Sequence, residues 1–135
     1  MIPTDSTKIP LPSLEARLVK LAGLSHNDVT EGRVSKTFHH VLEAYRLISC
    51  GKQTHYGDYV KNLEGDPPLL QTIQLYCEIK RKFKRFDNMV KRLAAGDKLV
   101  SHDELLEVMA DLGVYSILAI DLFLAQEEAA GDAEP

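Results

Sequence analysis

Several familiar landmarks are missing from this chain. It has two cysteines, Cys50 and Cys77, with neither a Cys-x-x-Cys spacing nor histidines at zinc-finger distance. A disulfide framework and a structural zinc site are therefore not expected, and both cysteines read as small core residues in a reducing, cytoplasmic setting. The longest apolar-rich stretch, residues 112–125, contains Asp121 and reads as a buried helix, so no membrane partner is expected. Pro3 and Asp5 stand where a secretory signal needs basic and then apolar residues. No stretch alternates polar and apolar as a half-buried strand would, and no internal repeat is evident. A nucleophile elbow, a phosphate-binding glycine loop and a dinucleotide fingerprint are all absent.

What the chain has is helical periodicity. Its 135 residues, 44% of them hydrophobic, suffice for one domain with a core. Three prolines within residues 1–12 suggest an extended arm. Ser13 can cap a helix to about Leu21, stopped by Gly23. Asp28 and Glu31 have capping-box spacing, and Val34, Phe38, Val41, Tyr45 and Ile48 then recur at helical steps, predicting a second helix that ends near Cys50, before Gly51. Residues 51–65 read as a loop with one helical turn at 58–63. Asp66-Pro67-Pro68 opens a third helix, with Leu69, Ile73, Tyr76, Phe83, Phe86, Val90 and Leu93 inward, and Gly96-Asp97 closes it. Ser101 and Glu104 open a fourth, running to about Gln126 with Leu105, Val108, Leu112, Tyr115, Ala119 and Leu122 as its stripe. Residues 127–135 read as an acidic, disordered tail. The expected fold is all-α, a four-helix bundle over 13–126 built around a long antiparallel hairpin.

Charge distinguishes the two hairpin helices. The net charge of −4 argues against wholesale nucleic-acid binding. Residues 78–92 nevertheless carry Lys80, Arg81, Lys82, Lys84, Arg85, Lys91 and Arg92 against only Glu78 and Asp87, whereas residues 101–121 contain five acids and no Lys or Arg. Phe83 and Phe86, in and just after the run at 80–85, keep the helix period, so this basic run is not expected to bind nucleic acid. With the turn near residue 98, residues whose numbers sum to about 196 lie level in an antiparallel pair. Asp111 then lies level with Arg85, and Glu107 near Met89, one turn from Arg85 and beside Asp87. Glu104, Glu107 and Asp111 share a face of one helix, Lys82 and Arg85 a face of the other. Two readings are open. The charges form an exposed salt-bridge ladder, worth roughly 0–1 kcal/mol per pair, or the carboxylates hold a hard divalent cation while the cations hold phosphate. His39 and His40 with Glu43, and His55-Tyr56 before Gly57, are weaker candidates.

The order of short motifs resembles a helical domain of phage and prophage proteins associated with nucleotide modification. Leu42-Glu43-Ala44, Lys52, Tyr56-Gly57 and Asp58 match its opening, Lys82 and Arg85 its Lys-x-x-Arg, and Glu107, Asp111, Leu112 and Tyr115 its close. The resemblance covers about residues 41–124. That domain is similar in fold to the all-α NTP pyrophosphohydrolases, the MazG-like enzymes, which hold magnesium through carboxylates and cleave nucleoside triphosphates. The resemblance implies Glu107 and Asp111 as catalytic metal ligands, helped by Glu43 or Asp87. It also implies Lys52, Lys82 and Arg85 as phosphate contacts, with Tyr56 packing on the base. The sequence departs from the enzymes' paired-carboxylate pattern, since Glu43 stands alone on its helix and Val108 lies three before Asp111. Three functions follow as expectations: a magnesium-dependent NTP pyrophosphohydrolase, a non-catalytic module binding a nucleotide or a protein, and a structural homo-oligomer. If the chain is phage-encoded, its place is the bacterial host cytosol.

Overall fold

The computed structural model describes residues 13–56, 61 and 63–133, and the side chains of 14–53, 61 and 63–131. The expected N-terminal arm lies outside these residues. The regular structure of the described residues is all helical, with no strand among them: α1 (Ser13–Leu21), α2 (His26–Glu31), α3 (Lys36–Tyr56), α4 (Pro68–Ala94) and α5 (His102–Ala133). The chain divides into two units, one up to His40 and one from Val41 onward.

In the first unit, α1 ends as its glycine predicts. Gly23 takes φ +78, the Gly23 N–H donates to Lys20 O, and the Leu24 N–H reaches back to Val19 O at 3.2 Å. A left-handed residue at this position lets the chain satisfy the last carbonyls, and glycine adopts it without steric cost. The expected Asp28–Glu31 cap is corrected here. Asp28 is instead the third residue of a box opened by Ser25: the Asp28 N–H donates to Ser25 Oγ, and the Ser25 N–H to Asp28 Oδ2 at 2.8 Å. That makes α2 a separate short helix closed at Gly32, and Ser35 Oγ accepts from the Phe38 N–H to start α3. The segment read as one helix is therefore two, and the apolar period from Phe38 to Ile48 belongs to α3, with Val34 in the linker before it.

The second unit is built on the α4–α5 hairpin. Contrary to the expected stop before Gly51, α3 continues through it to Tyr56. A glycine inside a helix costs only about 1 kcal/mol relative to alanine, which the surrounding turns outweigh. Pro67-Pro68 opens α4 as expected. At the other end, Gly96 (φ +83) reverses the chain and Asp97 fixes the turn. Its Oδ1 accepts from the Leu99 N–H and its Oδ2 from Arg92 Nε, both at 2.8 Å. The Leu99 amide first, and Arg92 second, hold the Asp97 carboxyl below its usual range. Ser101 Oγ then accepts from the Glu104 N–H, and α5 runs to Ala133, through most of the segment read as a tail. Residues 124–130, Leu-Ala-Gln-Glu-Glu-Ala-Ala, are strong helix formers, and that outweighs their acidity.

The α5 stripe packs as its period requires. Leu63, Leu75 and Leu122 form one buried cluster with Ile79, Tyr115 and Ala119 against it. Met89, Val100 and Val108 form a second with Phe86 and Leu105. The buried Gln71 donates to Leu63 O at 2.6 Å and accepts from Gln126, tying the far ends of α4 and α5. The inner side of α4 is corrected in part: Phe86 packs inward as expected, with Gln71, Leu75, Ile79 and Met89, while Leu69, Ile73, Tyr76, Phe83, Val90 and Leu93 are exposed. Both sets keep a helical period, so spacing alone cannot rank them. Cys50 and Cys77 are exposed and form no disulfide, not core residues as expected. Over His102–Gly131, α5 is long and apolar enough to cross a membrane, although Asp121 interrupts it.

Candidate functional site

Three helices of the second unit converge on Asp111. From α4, Lys82 Nζ lies 3.0 Å from Asp111 Oδ2, and from α3, Lys52 Nζ lies 3.9 Å from Oδ1. Lys52 reaches this point because α3 does not stop at Gly51. Asp111 and Lys82 are 15% and 20% exposed, so this ion pair is shielded from solvent, and screening weakens it less than a surface pair. What seats α3 on α5 is Tyr45. Its hydroxyl donates to Met109 O at 2.8 Å, and its ring lies over Gly113, where any side chain would collide with it.

Beside the ion pair is a cavity of about 460 Å³, within the range of small-molecule sites. Lys52, Arg81 and Lys82 supply its cations, Asp111 and Asp121 two carboxylates, and Val114, Tyr115, Ile117 and Leu118 its apolar wall. Ser49 and Gln53, one turn apart on α3, also line it. Ser49 Oγ and Gln53 Oε1 are buried without a hydrogen-bond partner among the described residues. A buried polar atom left unpaired costs about 1–3 kcal/mol, so two in one cavity mark a place for a polar ligand edge or water. On the cavity's flank, the Tyr115 hydroxyl donates to Glu78 Oε2 at 3.3 Å. Arg81, bonded to the same carboxylate at 2.6 Å, holds Glu78 below the usual carboxylate range. A second, more open hollow of about 390 Å³ also includes Arg81 and is lined by Lys84, Arg85 and Arg92 with Glu104.

The other sequence candidates are placed differently. Arg85 does not meet Asp111. It pairs with Glu107 at 3.3 Å, and both are well exposed. Glu43 is taken by Arg46 at 2.6 Å, which holds its carboxyl low, and Asp87 pairs with Lys91 on its own helix. Among the described residues no group of three or more His, Cys, Asp or Glu is placed to hold a metal ion. Asp111 faces two ammonium groups, where a magnesium ligand needs fellow oxygens. The donors present therefore do not fit a resident magnesium. His39 and His40 are exposed. The side chains of His55 and Tyr56, and the whole of Gly57 and Asp58, lie outside the described residues.

Sequence reasoning missed Ser49, Gln53 and Arg81. The signal was present for the first two, since they fall at i and i+4 on the line that leads from Tyr45 past Cys50, but it was cut by reading Gly51 as a stop. Comparison with family models, with curated proteins and with solved structures finds no match to this chain, so its own residues carry the functional reading.

Proposed function

We propose that the protein is a nucleotide-handling helical module of the phage type that binds its ligand in the α3–α4–α5 cavity without hydrolysing it. The single observation that carries this reading is the pairing, in one cavity, of Lys52, Arg81 and Lys82 with an apolar wall and two polar atoms that have no partner among the described residues. A nucleotide has those same parts: a polyanion for the cations, a flat ring for the apolar wall, and a polar ring edge for Ser49 and Gln53. The basic hollow along α4 extends the positive surface beyond Arg81. Binding is preferred to hydrolysis because the carboxylates that would hold magnesium are each engaged by a Lys or Arg. The pyrophosphohydrolase reading requires Asp111 and Glu107 to leave those partners for a shared cation.

Thermal shift with a panel of ribo- and deoxynucleotides, with and without magnesium, tests the proposal when run beside an assay for released pyrophosphate. The expected result is stabilisation by at least one nucleoside triphosphate in the absence of magnesium, with no product. Magnesium-dependent turnover would establish the enzyme instead. No shift with any nucleotide would remove nucleotide binding.

A further inference from the structure

We infer that the groove between α4 and α5 takes a single strand of nucleic acid, with its terminal base in the cavity and its following phosphates along α4 toward the hairpin turn. The inference rests on the nucleotide reading of the cavity and names the class of nucleotide. Its starting point is that the cavity and the second hollow share Arg81.

Arg81, Arg85, Asn88 and Arg92 recur at steps of four, three and four on α4, which stacks them in one straight row on a helix of about 3.6 residues per turn. All four line the second hollow, with Lys84 beside the row. Counting from the turn sets Arg81 level with Tyr115 and Arg92 level with Glu104. The first pair lines the cavity and the second lines the hollow. The two are therefore consecutive stretches of one groove, running from the apolar wall to the turn. From Arg81 to Arg92 the row is about 16 Å long, with its members about 4.5–6 Å apart along the axis. Phosphates of a stacked strand advance about 3.4 Å each and separate further as the strand extends, so the row matches an unstacked strand. A triphosphate, with its phosphorus atoms joined by single oxygen bridges, is too short to fill it. A duplex leaves no base free for the cavity.

The cations are accessible and keep donors to spare. The side chains of Arg81, Arg85 and Arg92 are 65%, 40% and 48% exposed. Each gives one nitrogen to a carboxylate: Arg81 Nη2 to Glu78, Arg85 Nη1 to Glu107 and Arg92 Nε to Asp97. A guanidinium carries five N–H donors, so each pair steadies the arginine and leaves donors for a phosphate. With those carboxylates and Glu104 beside it, the row does not attract polyanions over a distance. Recognition comes from the spacing of its donors, in keeping with the net charge of −4. The two phenylalanines that argued for burying this run divide. Phe86 packs inward, but Phe83 is exposed, and the run is a surface.

The test is calorimetric titration of the full chain, without magnesium, with a nucleoside triphosphate and with 5′-phosphorylated ribo- and deoxytrinucleotides. Such a trinucleotide carries about the same charge as a triphosphate, so a difference between them reads spacing. A trinucleotide of at least one sugar type is expected to bind at least about tenfold more tightly, the gain from one more charge-assisted contact. The two sugar arms tell RNA from DNA. The double variant Lys84→Gln/Arg85→Gln should remove that gain while the triphosphate binds as before, because neither residue lines the cavity. If the variant fails to fold, the wild-type comparison still decides. Triphosphate binding that no trinucleotide exceeds overturns the inference and leaves the proposed function standing. A trinucleotide that binds where the triphosphate does not upholds the strand and removes the free nucleotide as ligand. Inorganic tripolyphosphate that binds as tightly as the trinucleotide, or a gain that survives in the double variant, also overturns the inference. If neither nucleotide binds, both readings fall.

Discussion

Replacing Gly113 by alanine should change sign with its surroundings. In the wild type, an added Cβ runs into Cε1, Cζ and the hydroxyl of Tyr45, so the ring must leave Gly113. Overpacking of this kind costs about 1–3 kcal/mol, and losing the Tyr45–Met109 hydrogen bond costs about 1 kcal/mol more. Against this, alanine at a helix interior is favoured over glycine by about 1 kcal/mol. The net expectation is a destabilisation of about 1–3 kcal/mol. In a Tyr45→Ala background the three atoms nearest the added Cβ are gone, and the same substitution should stabilise by up to about 1 kcal/mol. Urea unfolding of the wild type, both single variants and the double variant gives the cycle, with a coupling of about 3 kcal/mol expected. If Gly113→Ala has the same sign in both backgrounds, α3 does not sit on α5 through Tyr45.

Two further outcomes follow from the charges. Lys82→Ala leaves the shielded Asp111 with only the more distant Lys52, so a loss of about 1–3 kcal/mol is expected in urea unfolding. Arg85→Ala breaks an exposed pair with Glu107 and should change stability by no more than about 0.5 kcal/mol; equal losses would count against the shielding of the first pair. Asp28, Glu43, Glu78 and Asp97 are all held below their ordinary values of 3.8 for Asp and 4.5 for Glu. The causes are, respectively, the Ser25 amide, Arg46, Arg81 and the Leu99 amide. Because the folded values are the lower ones, their contribution is present above those ordinary values and disappears as pH falls through the folded ones. Unfolding free energy measured from pH 6 to pH 3 should decline below about pH 4.5; a flat or rising profile would contradict these contacts.

The sequence made the all-α class and the hairpin legible because their signals are local. Pro67-Pro68, Gly96-Asp97 and Ser101 each fix a helix end through their own backbone chemistry, and they hold in the structure. Signals that compete were misread. Ser25 and Asp28 both suit a helix start, and only the chain's path decides which is the cap. On α4, two apolar stripes share one period, and tertiary packing chose the Leu75–Met89 side. Lys52, Lys82 and Asp111, chosen as site residues from the charge pattern and the family resemblance, are brought together. Glu43 and Asp87 found nearer partners one helical turn away, a contact that helix geometry supplies more readily than a long-range one. The contribution of α3 depended on how far it extends past Gly51, and there the glycine's stop signal competes with the helical step from Tyr45 through Ser49 to Gln53.

The central claim is that the cavity binds a nucleotide through cations for which Asp111 competes, and one substitution separates it from the metal-enzyme reading. Calorimetric titration of a nucleoside triphosphate without magnesium should give tighter binding to Asp111→Asn than to the wild type, because the change frees Lys82 and removes a negative charge beside the phosphates. Lys82→Ala should weaken binding at least about tenfold, the loss of one charge-assisted contact. Wild-type binding that needs magnesium, and is lost in Asp111→Asn, would contradict the account and make Asp111 a metal ligand.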